Sequence, residues 1–127
     1  MRSAELAQRV LVDPNSPIAA LLGAMPDDVD EQVEVLIQRL STLNAAAKFL
    51  WPIPDKGLIR RLPRIKAPTL IVWGRQDGLI PVSYGSTFRD RIPGARLEVL
   101  EQASHLVQLE RQPQVLELTW QALAGPA

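Results

Sequence analysis

Two short apolar segments near the C-terminus each end in a side chain that can carry protons. Residues 69–77 read Thr-Leu-Ile-Val-Trp-Gly-Arg-Gln-Asp and end in Asp77, and residues 97–105 read Leu-Glu-Val-Leu-Glu-Gln-Ala-Ser-His and end in His105, the single histidine of the chain. A carboxylate bonded to one imidazole nitrogen selects the tautomer whose other nitrogen can accept a hydroxyl proton. The sequence therefore predicts that Asp77 and His105 form the acid and base of a catalytic triad.

The nucleophile that would complete such a triad is missing from the sequence. Gly-x-Ser-x-Gly, the pattern of a sharp turn that exposes a nucleophilic serine, does not occur in the 127 residues. Ser83, Ser86 and Ser104 lie near the candidate residues in sequence, but none occupies a turn of that kind. We therefore expect a base and its orienting acid without their nucleophile.

Both candidate residues also have an ordinary structural explanation. Asp77 lies between Gly74 and Gly78, and an Asp in such a position often forms a turn. A single histidine is often a satisfied surface residue. The two residues have matching positions after two apolar segments, and this agreement favours the functional interpretation over either structural one.

The segments that carry Asp77 and His105 are predicted to be neighbouring parallel strands. The apolar run 69–73 is typical of a strand covered on both faces, and the alternation over 96–99 is typical of a strand near a sheet edge. A helix over 82–92 fits between them as the crossover connection. Since functional loops follow the carboxyl ends of parallel strands, both side chains should reach the same edge.

The first sixty residues are predicted to be helical, and the change of pattern marks a boundary near residue 60. Asp27 or Asp28 can cap a long amphipathic helix with one buried stripe, which ends before Trp51-Pro52. A shorter helix is predicted over residues 3–11. The apolar stripe of the long helix comprises Val29, Val33, Leu36, Ile37, Leu40, Leu43, Ala47 and Leu50.

Further along the chain, residues 57–62 are expected to form one or two helical turns. A last helix is predicted to run from Pro113 to Gly125-Pro126, with proline at its start and glycine at its end.

The composition argues against several classes of function. Fourteen basic and fourteen acidic side chains give a formal charge of zero, so no long-range field favours nucleic acid or an anionic membrane. The chain has no cysteine, and one histidine without clustered carboxylates is a poor set of metal ligands. We expect no metal, no cofactor, no nucleic-acid or membrane partner, and a cytoplasmic location by default.

The C-terminal half resembles a known family. The segment Pro68-Thr-Leu-Ile-Val-Trp-Gly-Arg-Gln-Asp-Gly-Leu-Ile-Pro81, with Ile92-Pro-Gly-Ala-Arg-Leu and Ala103-Ser-His105, is similar to the C-terminal portion of α/β-hydrolases. In that family the acid follows the seventh strand in a Gly-x-x-Asp-x-x-x-Pro setting, and the base follows the eighth strand. The resemblance implies that Asp77 is the acid and His105 the base, although Ser104 stands where the family usually has glycine.

The resemblance also implies a domain organisation. Residues 1–60 would be a helical cap-like segment, and residues 61–127 would be the C-terminal part of the core. The fold class is then α/β, a partial α/β-hydrolase fold with a cap remnant followed by strand, helix, strand and helix, and two parallel strands. Because caps set substrate choice in this family, Phe49, Leu50 and Trp51 are candidate substrate-binding residues, with structural packing as the alternative.

Two functional hypotheses follow. The first is a C-terminal fragment of a serine hydrolase (EC 3) for ester or carbon–carbon bonds, inactive alone, whose small ester or ketone substrate binds once an N-terminal half completes it. The second is a non-catalytic module that self-associates or binds a partner, because two strands and several amphipathic helices leave strand edges and an apolar face uncovered. A homo-oligomer is expected under the second hypothesis.

Overall fold

The computed structural model describes residues 8–50 and 57–125. Residues 8–10 are helical. The elements that follow are α1 (Pro17–Gly23), α2 (Val29–Leu50), α3 (Leu58–Arg61), a 3₁₀ turn (Leu62–Arg64), β1 (Leu70–Gly74), α4 (Ser83–Arg91), β2 (Arg96–Leu100), α5 (Val107–Glu110) and α6 (Gln112–Ala124). The predicted order of strand, helix, strand and helix in the C-terminal part is confirmed.

Strands β1 and β2 form a parallel pair, as predicted. Leu70 is opposite Arg96 and Gly74 is opposite Leu100, so both strands end at the same level. The structure leaves Leu70–Trp73 half-buried, so the prediction that this strand is covered on both faces was wrong for the described residues. Within the described residues the sheet has only two strands, so each strand has one edge that no other strand covers.

Helix α4 connects the two strands and packs against them through a glycine. A Cβ atom at Gly85 would lie 3.2 Å from Trp73 Cε3 and 3.2 Å from Leu97 Cδ1, so the absence of a side chain lets the helix approach the sheet closely. The rings of Trp73 and Phe88 lie 6.3 Å apart in a tilted arrangement and add an aromatic contact. The crossover helix predicted over 82–92 is therefore present and docked.

The contacts divide the chain into two compact units. One unit contains Met1–Gly23 with Ile59–Ala127, and the other contains Ala24–Leu58. The predicted boundary near residue 60 lies close to the end of the second unit, whereas the first unit also takes in the N-terminal segment. In the first unit, Val10 and Leu11 are buried and pack with Ile18, Ala19 and Leu106.

The second unit consists mainly of α2. Asp28 is the residue that caps this helix, because its Oδ1 accepts the N–H groups of Asp30 and Glu31 at 2.9 and 3.0 Å. The apolar stripe is not buried as predicted: Leu40 is 65% exposed and Leu43 is 66% exposed. In the described part of this unit α2 has no second element against which the stripe could pack.

The C-terminal helix begins and ends as predicted. Pro113 lies in its first turn, and Gly125 follows its last residue with a φ of 81°. Among the described residues, no helix combines the length and the apolar character needed to cross a lipid bilayer.

Candidate functional site

Asp77 lies in the loop after β1, and one of its carboxylate oxygens shapes that loop. Oδ1 accepts the N–H groups of Leu79 at 2.8 Å and Ile80 at 2.9 Å. The indole Nε1 of Trp73 donates to the carbonyl oxygen of Ile80 at 3.1 Å, which ties the loop back to the strand. These hydrogen bonds fix the position of the Asp77 carboxylate in the loop.

The second carboxylate oxygen faces the imidazole of His105. Asp77 Oδ2 and His105 Nδ1 are 3.0 Å apart, so the predicted contact is present. Because a carboxylate can only accept, Nδ1 is the nitrogen that carries the proton when the ring is neutral, and Nε2 is left as the acceptor. The Asp77 side chain is 5% exposed and the His105 side chain is 34% exposed, so the acid is covered while the base can be reached.

The environment of Asp77 favours the ionised carboxylate. Burial alone would raise the pKa of Asp77, but the N–H of Ile80, the imidazole of His105 and the N–H of Leu79 outweigh it. Their net effect is to lower the pKa of Asp77 below its ordinary value of 3.8. Asp77 is therefore negatively charged near neutral pH and can stabilise an imidazolium on its neighbour.

The loops that carry the two residues are joined by hydrogen bonds. Gln76 N–H donates to the carbonyl oxygen of Ala103 at 2.9 Å, and Ala103 N–H donates to Gln76 Oε1 at 3.2 Å. Arg75 N–H donates to the carbonyl oxygen of Leu100 at 2.9 Å and continues the pairing of the strands into the loops. The residues before Asp77 and before His105 are thus held together directly.

Gly74 permits this close approach of the two loops. A Cβ atom at Gly74 would lie 2.6 Å from the carbonyl oxygen of Ala103 and would also overlap the carbonyl oxygen of Ser104. Ser104 itself is accommodated where the related family usually has glycine: it is buried, and its Oγ is 3.5 Å from the carbonyl oxygen of Arg9, to which it donates. Position 74 therefore requires glycine, whereas the position before His105 accommodates a serine.

Sequence reasoning missed the contribution of the N-terminal segment to the site. Leu106 N–H donates to the carbonyl oxygen of Val10 at 3.2 Å, and Val12 N–H donates to Glu110 Oε1 at 2.6 Å. These contacts join positions almost a hundred residues apart, and the N-terminal segment contributes only backbone atoms to them, which do not depend on the residue type. The apolar character of Val10 and Leu11 was the one available signal that this segment is buried.

A small cavity lies beside the Asp77–His105 pair. Its volume is about 230 Å³, and its walls include Val72, Trp73 and Ile80. This is below the roughly 300 Å³ at which pockets for drug-sized ligands begin. Within the described residues the cavity can hold a small chemical group next to the imidazole.

The three serines near the pair in sequence are not placed as nucleophiles, as expected. Ser83 and Ser86 lie in α4, and the hydroxyl of Ser104 is directed to a backbone carbonyl. Trp51 and the side chains of Phe49 and Leu50 lie outside the described part of the chain, so their predicted contact with substrate stays a prediction. Over residues 8–50 and 57–125 no group of three or more His, Asp or Glu side chains is placed to hold a metal ion.

Comparisons with known proteins point to one family. The sequence profile described as the alpha/beta hydrolase fold matches residues 6–112. Over 74 residues the chain is 39% identical to 2-hydroxy-6-oxo-6-phenylhexa-2,4-dienoate hydrolase of Delftia acidovorans, a match that covers 58% of this chain and 26% of that enzyme. Over 73 residues it is 38% identical to 2-hydroxy-6-oxononadienedioate/2-hydroxy-6-oxononatrienedioate hydrolase of Escherichia coli, covering 58% of this chain and 25% of the relative.

The solved structures agree with the sequence matches. An enzyme that degrades N-acyl homoserine lactones superposes with a TM-score of 0.62 at 29% identity, covering 91% of this chain and 44% of that enzyme. The chain thus corresponds to about a quarter of the curated relatives in sequence and to less than half of this structural neighbour.

Proposed function

Because the chain belongs to the α/β-hydrolase fold family, we propose that it provides the general base and the orienting acid of a serine hydrolase. The fold predicted from sequence, a partial α/β-hydrolase fold with two parallel strands, is confirmed by the family match and by the strand pairing. The contact of 3.0 Å between His105 Nδ1 and Asp77 Oδ2 is the observation that carries the proposal.

The arrangement supports a defined sequence of proton transfers. In the proposed reaction, Nε2 of His105 takes the proton of a serine hydroxyl as the serine oxygen attacks the substrate carbonyl carbon. The resulting imidazolium is stabilised by the Asp77 carboxylate and then gives its proton to the leaving group, so that an acyl-enzyme remains. Water repeats the sequence through the same imidazole and releases the acid product.

The nucleophile is proposed to come from polypeptide outside these 127 residues. None of the six serines lies in a Gly-x-Ser-x-Gly sequence, and the serines near the site are in a helix or bonded to backbone. On this proposal the chain is a C-terminal fragment that is inactive alone and is completed by an N-terminal half. The matched share of the curated relatives, about a quarter of their length, supports this interpretation.

The substrate is proposed to be a small ester or ketone. The two curated relatives are named as hydrolases of oxo-dienoate compounds, and the structural neighbour acts on a lactone, so both carbon–carbon and ester bonds remain within the proposal. The cavity of about 230 Å³ beside His105 is consistent with a small group at the reacting carbon. The role of Phe49, Leu50 and Trp51 in substrate binding, the division at residue 60 and a cytoplasmic location remain parts of the proposal that rest on sequence alone.

The test is to read the DNA upstream of the Met1 codon and to express the extended polypeptide. We expect an in-frame Gly-x-Ser-x-Gly and covalent labelling by a fluorophosphonate, which reports an activated serine. His105→Ala in the extended polypeptide should abolish labelling, and Gln108→Ala, a change at an exposed residue of the same cavity wall, should retain it. An upstream stop codon with no such motif, or labelling that persists in His105→Ala, would contradict the proposal.

A second candidate function is favoured by exposed apolar side chains. Leu40 and Leu43 on α2 and Trp120 and Leu123 on α6 are each between 65% and 72% exposed. Surfaces of this kind mark interaction sites when they are contiguous. On this alternative the chain is a non-catalytic module that self-associates or binds a partner, and sedimentation of the purified chain as a folded monomer at all concentrations would argue against self-association.

A further inference from the structure

The loop that carries His105 is held by the carboxylate of Glu110. Glu110 Oε2 accepts the N–H of Ser104 at 2.7 Å, and Glu110 Oε1 accepts the N–H of Val12 at 2.6 Å. Hydrogen bonds from backbone N–H groups to a carboxylate are short and about twice as strong as those between neutral groups. One side chain therefore joins the residue beside His105 to the N-terminal part of the chain.

Val12, one of the two partners of Glu110, belongs to a short segment that makes further contacts with the loop of His105. We call residues 9–12 the strap. The Ser104 hydroxyl donates to the carbonyl oxygen of Arg9 at 3.5 Å, and the N–H of Leu106 donates to the carbonyl oxygen of Val10 at 3.2 Å. The residues on both sides of His105 are thus bonded to the strap, directly or through Glu110.

The strap also lies against the loop that carries Asp77. A Cβ atom on Gly78 would lie 2.7 Å from the carbonyl oxygen of Arg9, so the two backbones are in close contact. Because the strap touches both loops, its position helps to set their separation. Val10 and Leu11 anchor it, at 5% and 3% exposure.

We infer that Glu110 is a positioning residue, which holds His105 Nδ1 within bonding distance of the Asp77 carboxylate by tying Ser104 to the strap. This inference rests on the proposed function, since the acid–base pair is what Glu110 positions. Hydrogen bonds weaken steeply once their angle or distance departs from the ideal. A small shift of the loop would therefore weaken the hydrogen bond between His105 Nδ1 and the Asp77 carboxylate. The Gln76–Ala103 hydrogen bonds support the same loop independently of Glu110. Removal of the Glu110 carboxylate should therefore displace the loop without unfolding it.

The test is nuclear magnetic resonance of the 127-residue chain, whose single imidazole gives one set of ¹⁵N signals. At about pH 8.5 an imidazole is neutral and its two tautomers have distinct ¹⁵N shifts. The wild type is expected to be protonated at Nδ1. Glu110→Ala is expected to lose this preference and to approach the tautomer ratio of free histidine, and Glu110→Gln, which keeps one acceptor oxygen, is expected to lose it in part.

Two further variants separate positioning from other effects. Glu117→Ala removes a carboxylate from an exposed helix position, where it accepts a hydrogen bond from Gln121, and should leave the spectrum of the wild type unchanged. Asp77→Asn removes the acceptor itself and should abolish the Nδ1-protonated form. Circular dichroism of each variant shows whether it is folded, and if Glu110→Ala is not, Glu110→Gln decides the matter.

The possible outcomes are distinct. Loss of the Nδ1-protonated form in the Glu110 variants, with retention in Glu117→Ala, supports the positioning role. Retention in the Glu110 variants, with loss in Asp77→Asn, overturns this inference and leaves the acid–base pair intact. Retention in Asp77→Asn as well would mean that Asp77 does not orient His105, and both the inference and the proposed function would fall.

Discussion

Asp77 uses its two carboxylate oxygens for different purposes. Oδ1 accepts two backbone N–H groups and forms the turn, and Oδ2 contacts His105. The structure therefore contains both the turn, which is the ordinary explanation of this residue, and the contact with His105, on which its proposed function depends. An asparagine at this position could keep the turn through its oxygen but would present an NH₂ donor to Nδ1.

Acid should destabilise the chain through Asp77. The pKa of Asp77 is lower in the folded chain than its ordinary value of 3.8. At a pH near these two pKa values, the unfolded chain therefore binds more protons than the folded chain. The corresponding stabilisation is present above the ordinary pKa and is lost as the pH falls through the folded-state pKa. We expect the free energy of unfolding, measured by urea titration at pH 6, 4 and 2.5, to fall less steeply with acid in Asp77→Asn than in the wild type.

The matched control for this prediction is Asp90→Asn. Asp90 also carries a carboxylate, but its side chain is 61% exposed and pairs with the neighbouring Arg89 at 2.7 Å. Its loss should leave the acid dependence of the wild type in place. Equal slopes for Asp77→Asn and the wild type would show that the carboxylate is not stabilised by the contacts around it.

Two glycines in the first unit allow close contacts because they lack side chains. Gly74 ends β1 beneath the backbone of residues 103 and 104, and Gly85 lets α4 lie on the sheet. The two glycines differ in the atoms that an added Cβ would contact. Backbone carbonyls oppose it at Gly74, whereas the indole ring of Trp73 and a methyl group of Leu97 oppose it at Gly85.

The same substitution should therefore have different effects at the two glycines. Gly74→Ala is expected to lower the free energy of unfolding by about 1–3 kcal/mol, the usual range for overpacking, because neither carbonyl can move away easily. Gly85→Ala should change it by less than about 1 kcal/mol, since alanine favours the helix over glycine and its Cβ would lie 3.2 Å from side-chain atoms, a milder overlap than at Gly74. Chemical denaturation measures both, and a larger loss at Gly85 would contradict this account of the packing.

The N-terminal cap of α2 offers a second test at this scale. Asp28→Ala removes the acceptor of two N–H groups and should reduce helix stability by about 1 kcal/mol, seen as a loss of helical circular dichroism on warming. Asp27→Ala, at the exposed neighbouring residue, is the control and should have little effect. Equal losses in the two variants would mean that the cap is not specific to Asp28.

From the sequence alone it was possible to predict the order of the C-terminal elements, their parallel pairing and the contact of Asp77 with His105. These features follow from local patterns: an apolar run, an alternation, and proline and glycine at helix ends. Contacts of the strap could not be predicted, because Arg9 and Val10 contribute carbonyl oxygens that leave no mark in the sequence. Glu110 was missed for the same reason, since both its partners are backbone N–H groups.

The prediction that the apolar stripe on α2 is buried failed for a different reason. Its three- and four-residue spacing correctly indicated a helix with one apolar face, but periodicity does not say which element covers that face. In the described residues Val33, Leu36 and Ile37 are between 48% and 57% exposed. The proposed N-terminal half and a second copy of the chain are the candidates to cover it, and they correspond to the two proposed functions.

Whether Asp77 orients His105 for proton transfer is measured by the turnover number of the extended polypeptide carrying Asp77→Asn. We expect kcat for ester or carbon–carbon bond hydrolysis to fall by about 10⁴-fold, the effect of the equivalent change in the best-studied triad, because the imidazole is held in the wrong tautomer. A kcat within tenfold of the wild type, in a variant that remains folded, would contradict this role of Asp77.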